Sequence, residues 1–100
     1  MAGKVKMRDL HNLLDLFEEA SSKTSNSLSL SIMAFSHGGF RVTMMALDIQ
    51  HDDNDKVSSV LLFRKDFDID YEWSRENNAT NYKECRDYLK HIIEGVKDDE

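Results

Sequence analysis

Between residues 27 and 50 the chain reads SLSLSIMAFSHGGFRVTMMALDIQ, two alternating runs on either side of a Gly-Gly pair. A period of two is the pattern of a half-buried strand, and glycine supplies the positive φ that a tight turn needs, so the stretch predicts a β-hairpin. An isolated hairpin is marginal in water. The remaining segments must therefore pair with it or pack on it.

Taking Gly38 and Gly39 as the centre of a type I′ turn fixes a register. Ala34 then pairs with Thr43, Ile32 with Met45, Leu30 with Leu47 and Leu28 with Ile49, and this row is the expected core face. The alternate row sets Phe35 beside Val42, Met33 beside Met44, Ser31 beside Ala46 and Ser29 beside Asp48. It is apolar near the turn and polar at the far end. HDDNDK (residues 51–56) has turn composition, and residues 57–64 form a third strand of β-branched and large apolar residues. Folding it back about Asp53 places Val57, Leu61 and Phe63 on the core row and Val60 and Leu62 on the other, the same division of faces that the first turn gives.

In DFDIDYEW, Phe67, Ile69, Tyr71 and Trp73 alternate with Asp66, Asp68, Asp70 and Glu72, again a strand pattern. In this register residue 67 lies opposite Gly39, so the segment either turns back as a fourth strand or overhangs as an edge. Both readings turn the four acids outward.

Two amphipathic helices flank the strands. Met7, Leu10, Leu13, Leu14 and Phe17 give one apolar stripe over residues 6–20, closed by the polar connector SSKTSN. Asn81 and Glu84 have capping-box spacing ahead of a second stripe, Tyr82, Cys85, Leu89, Ile92 and Val96, which Gly95 terminates. The expected architecture is one α+β domain of order α-β-β-β-(β)-α over residues 1–100, with residues 97–100 a frayed acidic tail. Both helices cover one face of an antiparallel meander, leaving the other bare.

Charge narrows the partners. The chain carries a net charge of −6, all of it in residues 51–100, whose 14 acidic residues outnumber eight basic ones. A direct nucleic-acid binder needs clustered Lys and Arg, so that class is disfavoured. One cysteine forms no internal disulfide, no apolar run spans a bilayer, and MAGKVKMRDL lacks the apolar core of a signal peptide; a cytoplasmic setting is expected.

No motif for catalysis, a cofactor or a metal emerges. His51, Asp52, Asp53 and Asp55 lack the glycine and terminal glutamate of a calcium loop, and the four histidines have no ligand spacing. Cys85 falls on a core stripe, where thiols behave as small hydrophobes. Two surfaces remain as candidates for binding a protein partner. The first is the apolar row Met33, Phe35, Val42, Met44, Val60 and Leu62 on the uncovered face, unless a helix crosses to bury it. The second is the acidic set Asp66, Asp68, Asp70 and Glu72 with Asp52, Asp53 and Asp55, seven acids offset by Lys56, Arg64 and Lys65 alone. Carboxylates at strand spacing imitate the charge of a nucleic-acid backbone and are drawn to basic grooves.

A short acidic chain without proline, a helix before a three-stranded meander, and the segment YEWSRENNATNYKECRDYLKHIIEG resemble the small accessory proteins of phages and mobile elements, anti-CRISPR inhibitors among them. That resemblance implies an inhibitor whose acidic residues occupy a nuclease's DNA-binding groove. The sequence is accordingly read as a non-enzymatic protein-binding domain with no cofactor, directed at a basic nucleic-acid-handling protein. The alternative is a homodimerisation or adaptor module built on the apolar sheet face.

Overall fold

The computed structural model describes residues 4–71 and 76–95. The elements run α1 (Met7–Ser21), β1 (Ser27–Ala34), β2 (Phe40–His51), β3 (Val57–Ile69) and α2 (Asn78–Glu94). The three strands form one antiparallel sheet in the order β1-β2-β3. Both helices lie on one side of it, the expected α+β arrangement with three strands rather than four.

The register differs from the expectation, and both turns supply the reason. Ala34 pairs with Phe40 and Leu30 with Met44, three residues away from the Gly-Gly-centred pairing. The loop is Ser36, His37 and Gly38: Phe35 N–H donates to Gly39 O (3.0 Å) and Gly38 N–H to Phe35 O (3.2 Å). This is a type I turn followed by a left-handed residue, Gly38 at φ +100°, the common three-residue alternative to a two-residue turn. The second loop repeats the form, with Asp52 N–H donating to Lys56 O (3.0 Å), Asp55 N–H to Asp52 O (3.0 Å), and Asp55 at φ +62°. Asp52 Oδ1 holds it by accepting from Asn54 N–H (2.8 Å) and Lys56 N–H (2.9 Å).

An odd shift exchanges the faces of β2 relative to β1. A bulge then exchanges those of β3: Leu47 faces Leu61, but Ala46 faces Phe63, leaving Leu62 as the extra residue. The covered face is therefore Leu28 and Leu30 of β1, Phe40, Val42, Met44 and Ala46 of β2, and Phe63, Phe67 and Ile69 of β3. Val42 and Met44, expected on the bare face, are fully buried beneath the helices. Met45, Leu47 and Ile49, expected in the core, lie on the opposite side. This register draws the Asp-rich segment into the sheet as the continuation of β3. Phe67 faces Val42 rather than Gly39, and Ile69 faces Phe40. Two large side chains are thereby buried instead of overhanging, worth about 1.5–3 kcal/mol each.

The helices complete the core with Leu10, Leu13 and Ala20 of α1 and Cys85 and Leu89 of α2. Phe63 stacks on Tyr88 with centroids 4.3 Å apart, and Phe67 meets Tyr82 edge-on at 5.3 Å. Tyr82 O–H donates to Asp9 O (3.0 Å), tying α2 to α1. Leu14, at 38% exposure, falls off the α1 stripe. Helix α2 begins at Asn78, ahead of the expected cap at Asn81, and ends on Gly95 at φ +61°. Glu72, Trp73, Val96 and the tail lie outside the described residues.

Candidate protein-contact surface

Strand β1 stops pairing at Ser27 opposite Leu47, whereas β2 and β3 pair onward to His51 and Val57. Residues 48–51 and 57–60 thus form a two-stranded ribbon beyond the third strand. The molecule measures 49 × 32 × 21 Å. Among the described residues, most of the exposed large apolar side chains belong to this ribbon and its base: Val57 (61%), Leu61 (55%), Val60 (47%), Leu62 (45%) and Ile49 (40%). Leu61, Val57 and Ile49 lie on the bare sheet face, in line with Leu47 and Met45. Val60, paired with Asp48, points to the helix side, past the helices' reach. Of the six residues expected in one apolar row, Met33 is exposed on the bare face, Phe35 is half-buried at its turn end, and Val60 and Leu62 are exposed on the ribbon and its base. Val42 and Met44 are in the core.

The ribbon is tipped with acid. Asp53 and Asp55 are exposed beside Asp52, whose carboxylate is engaged in the loop, and Lys56 is the cation among them. Asp48 accepts from Gln50 Nε2 at 3.0 Å. Apolar side chains rimmed by carboxylates make a surface complementary to an apolar groove flanked by Lys or Arg.

At the other end of the sheet the acidic row is divided: Asp68 is spent within the fold, Asp70 is exposed, and Asp66 keeps a buried Oδ1 without a hydrogen-bond partner among the described residues. Asp68 is 4% exposed and accepts from Arg41 Nε (2.9 Å) and the same guanidinium's second nitrogen (3.4 Å). Arg41 lies over Phe35, 5.4 Å from the ring centroid, and Phe35 stacks on Tyr71 at 4.4 Å. Its hydrogen bond to Asp68 is the leading cause that raises the pKa of Arg41. Asp66 stands 3.9 Å from Arg64 Nε. Asp70 is exposed and turns the chain at φ +51°, its N–H donating to Val5 O (3.0 Å). An outward row of four free carboxylates is therefore not formed by Asp66, Asp68 and Asp70, and Glu72 lies outside the described residues.

A depression of about 160 Å³ adjoins this cluster, lined by Arg41, Arg64, Lys65, Asp66, Asp68 and Asn78 among others. Its cations already face carboxylates, Lys65 reaching Glu84 at 3.0 Å, so little charge is left for a ligand. Among the described residues, no group of three His, Cys, Asp or Glu side chains is placed to hold a metal ion, and no helix is long and apolar enough to cross a membrane. Cys85 is buried, and burial pushes its thiol up to about 12.

Sequence reasoning missed Arg41 and the edge asparagines. Asp68 N–H donates to Asn78 Oδ1 (2.6 Å) and Asn78 Nδ2 donates back to Asp68 O (2.8 Å), while Asn81 Nδ2 donates to Asp66 O (3.0 Å). Two asparagines three apart at the start of a helix, after a strand without a further partner, were the available signal. In comparisons with known proteins, the chain matches no family model, no curated protein and no solved structure.

Proposed function

We propose that this chain is a non-enzymatic protein-binding module whose contact element is the projecting β2–β3 ribbon. The observation that carries this reading is the concentration of half-exposed apolar side chains, Ile49, Val57, Val60, Leu61 and Leu62, on a ribbon that neither helix covers. Completing the burial of each is worth about 1 kcal/mol. The occupant is a protein with an apolar groove edged by basic residues, because Asp53 and Asp55 flank the apolar patch at its tip. A nucleic-acid-handling protein is one of that description, and an inhibitor of such a protein, as the likeness to anti-CRISPR proteins implies, is the form this reading takes. The acidic contribution comes from the ribbon tip more than from Asp66 and Asp68, which Arg41 and Arg64 already accompany.

Capture of partners with the wild-type chain and with the double variant Ile49→Lys/Leu61→Lys tests it. Both sites are exposed, so unfolding stability should stay within about 0.5 kcal/mol while capture of a basic partner is lost. Weaker capture as salt rises is expected for the acidic rim. Undiminished capture by the double variant would remove the ribbon from the interface.

A further inference from the structure

We infer that two copies of this chain pair through the outer edges of β1, antiparallel about a two-fold axis at Leu30, into one continuous six-stranded sheet. This does not rest on the ribbon reading, since the ribbon and the β1 edge are separate surfaces.

The two edges of the sheet are treated differently. Where β3 would present bare backbone at Asp66 and Asp68, Asn78 and Asn81 occupy it. Among the described residues, strand β1 has no such cover. The bond from Phe35 N–H to Gly39 O sets the alternation, so Met33, Ser31 and Ser29 bond towards β2 while Ile32, Leu30 and Leu28 turn their N–H and C=O groups outward. No hydrogen bond from another described residue reaches them. The strand SLSLSIMA also lacks every usual deterrent to edge pairing: it has no charge, no proline and no bulge.

Its sequence identifies the occupant. With the axis at Leu30, each outward-bonding residue meets another: Leu30 faces Leu30 of the second copy, and Leu28 faces Ile32. Each such pair can exchange both backbone bonds. The side chains match as well, Leu and Ile on the helix side and Ser29 against Ser31 on the bare side. An acidic chain meets its own copy here along a neutral strand, so like-charge repulsion is least at this edge. The helix layer thins there too: Leu28 and Leu30 are half-buried and Ile32 is 49% exposed. A perpendicular two-fold keeps both pairs of helices on one side, and Leu28 of the second copy covers Ile32.

Sedimentation velocity over a range of concentrations tests this, with far-UV circular dichroism to check folding. The wild type should sediment as a species of twice 11.6 kDa. Ser29→Lys/Ser31→Lys sets lysine against lysine in the paired register and should be a folded monomer. Ser29→Lys/Ser31→Glu sets lysine against glutamate and should restore the dimer. A wild type that is monomeric at every concentration overturns the inference, and so does a dimer indifferent to the Lys/Lys change. Loss of dimer in both double variants would equally reject this register. A dimer broken only by Ile49→Lys/Leu61→Lys would place self-association on the ribbon and also overturn it.

Discussion

Asn78 holds the edge of β3 with both atoms of its amide, accepting from Asp68 N–H and donating to Asp68 O as a neighbouring strand would. The residue is 7% exposed, so these backbone groups have no ready access to water once the amide is gone. Asn78→Ala should lower stability by about 2–4 kcal/mol, since each unsatisfied buried group costs about 1–3 kcal/mol. Thermal unfolding should fall by roughly 10 °C or more for a chain of this size; a change under about 0.5 kcal/mol would mean that the amide is not seated on the strand. Cys85 gives a pH signature. Its thiol is moved from 9.0 to about 12, first by burial and then by the neighbouring Glu84 charge, so the folded chain holds its proton more tightly than the unfolded one. The associated stability is complete below about pH 9 and is lost as pH rises towards about 12. Burial raises Tyr82 and Tyr88 in the same sense. The folded chain should react slowly with thiol reagents at neutral pH. In denaturant titrations the stability of wild type relative to Cys85→Ala should decline through the alkaline range, and a constant difference would contradict the shift.

Sequence and structure part at the pairing of the strands. Both helices, all three strands, the division into one covered and one bare sheet face and the Gly95 stop could be read from periodicity and punctuation, because those signals are local, but that reading puts the residues of β2 on the wrong faces. The register could not. Two-residue and three-residue loops both suit SHGG, and they differ by an odd displacement that swaps every side chain of β2 relative to β1. The bulge at Leu62 has no glycine to betray it. The deciding contacts are non-local: this register seats Phe67 and Ile69 under the helices. Of the candidate site, Met33, Val60, Leu62 and the acidic turn were legible as exposed, whereas Asp68 was hidden by its partner Arg41, 27 residues away in sequence. The loop geometry makes its own prediction. A Cβ on Gly39, at φ +87°, would meet Asp70 O, Ile69 O and Tyr71 Cβ at 3.0 Å, whereas one on Gly38, at φ +100°, meets nothing within 4 Å. Both alanine variants bear backbone strain of about 1–3 kcal/mol. Gly39→Ala adds a steric clash against β3 and should be the less stable of the two by at least about 1 kcal/mol in denaturant titration. Equal stabilities would place the true turn elsewhere.

The whole molecule is extended for its length, with a radius of gyration of 15.3 Å where a compact 100-residue domain has about 13 Å. The ribbon projects beyond the end of β1, and its apolar side chains contribute little to folding because they pack on neither helix. Pairing through β1 would leave both ribbons free and project them from opposite ends of the six-stranded sheet, so that the dimer presents two copies of the same contact element. Partner binding at the ribbon and self-association at β1, as proposed, would occupy separate surfaces and should respond to different substitutions.

Site-specific photocrosslinking at Leu61, with Asp68 as the comparison position, reports whether the ribbon meets a partner. Position 61 should give adducts with a partner whose crosslinked segment is apolar and flanked by Lys or Arg, diminished by salt and absent from position 68. Adducts from position 68 alone, or none from position 61 under conditions where the partner is captured, would contradict it.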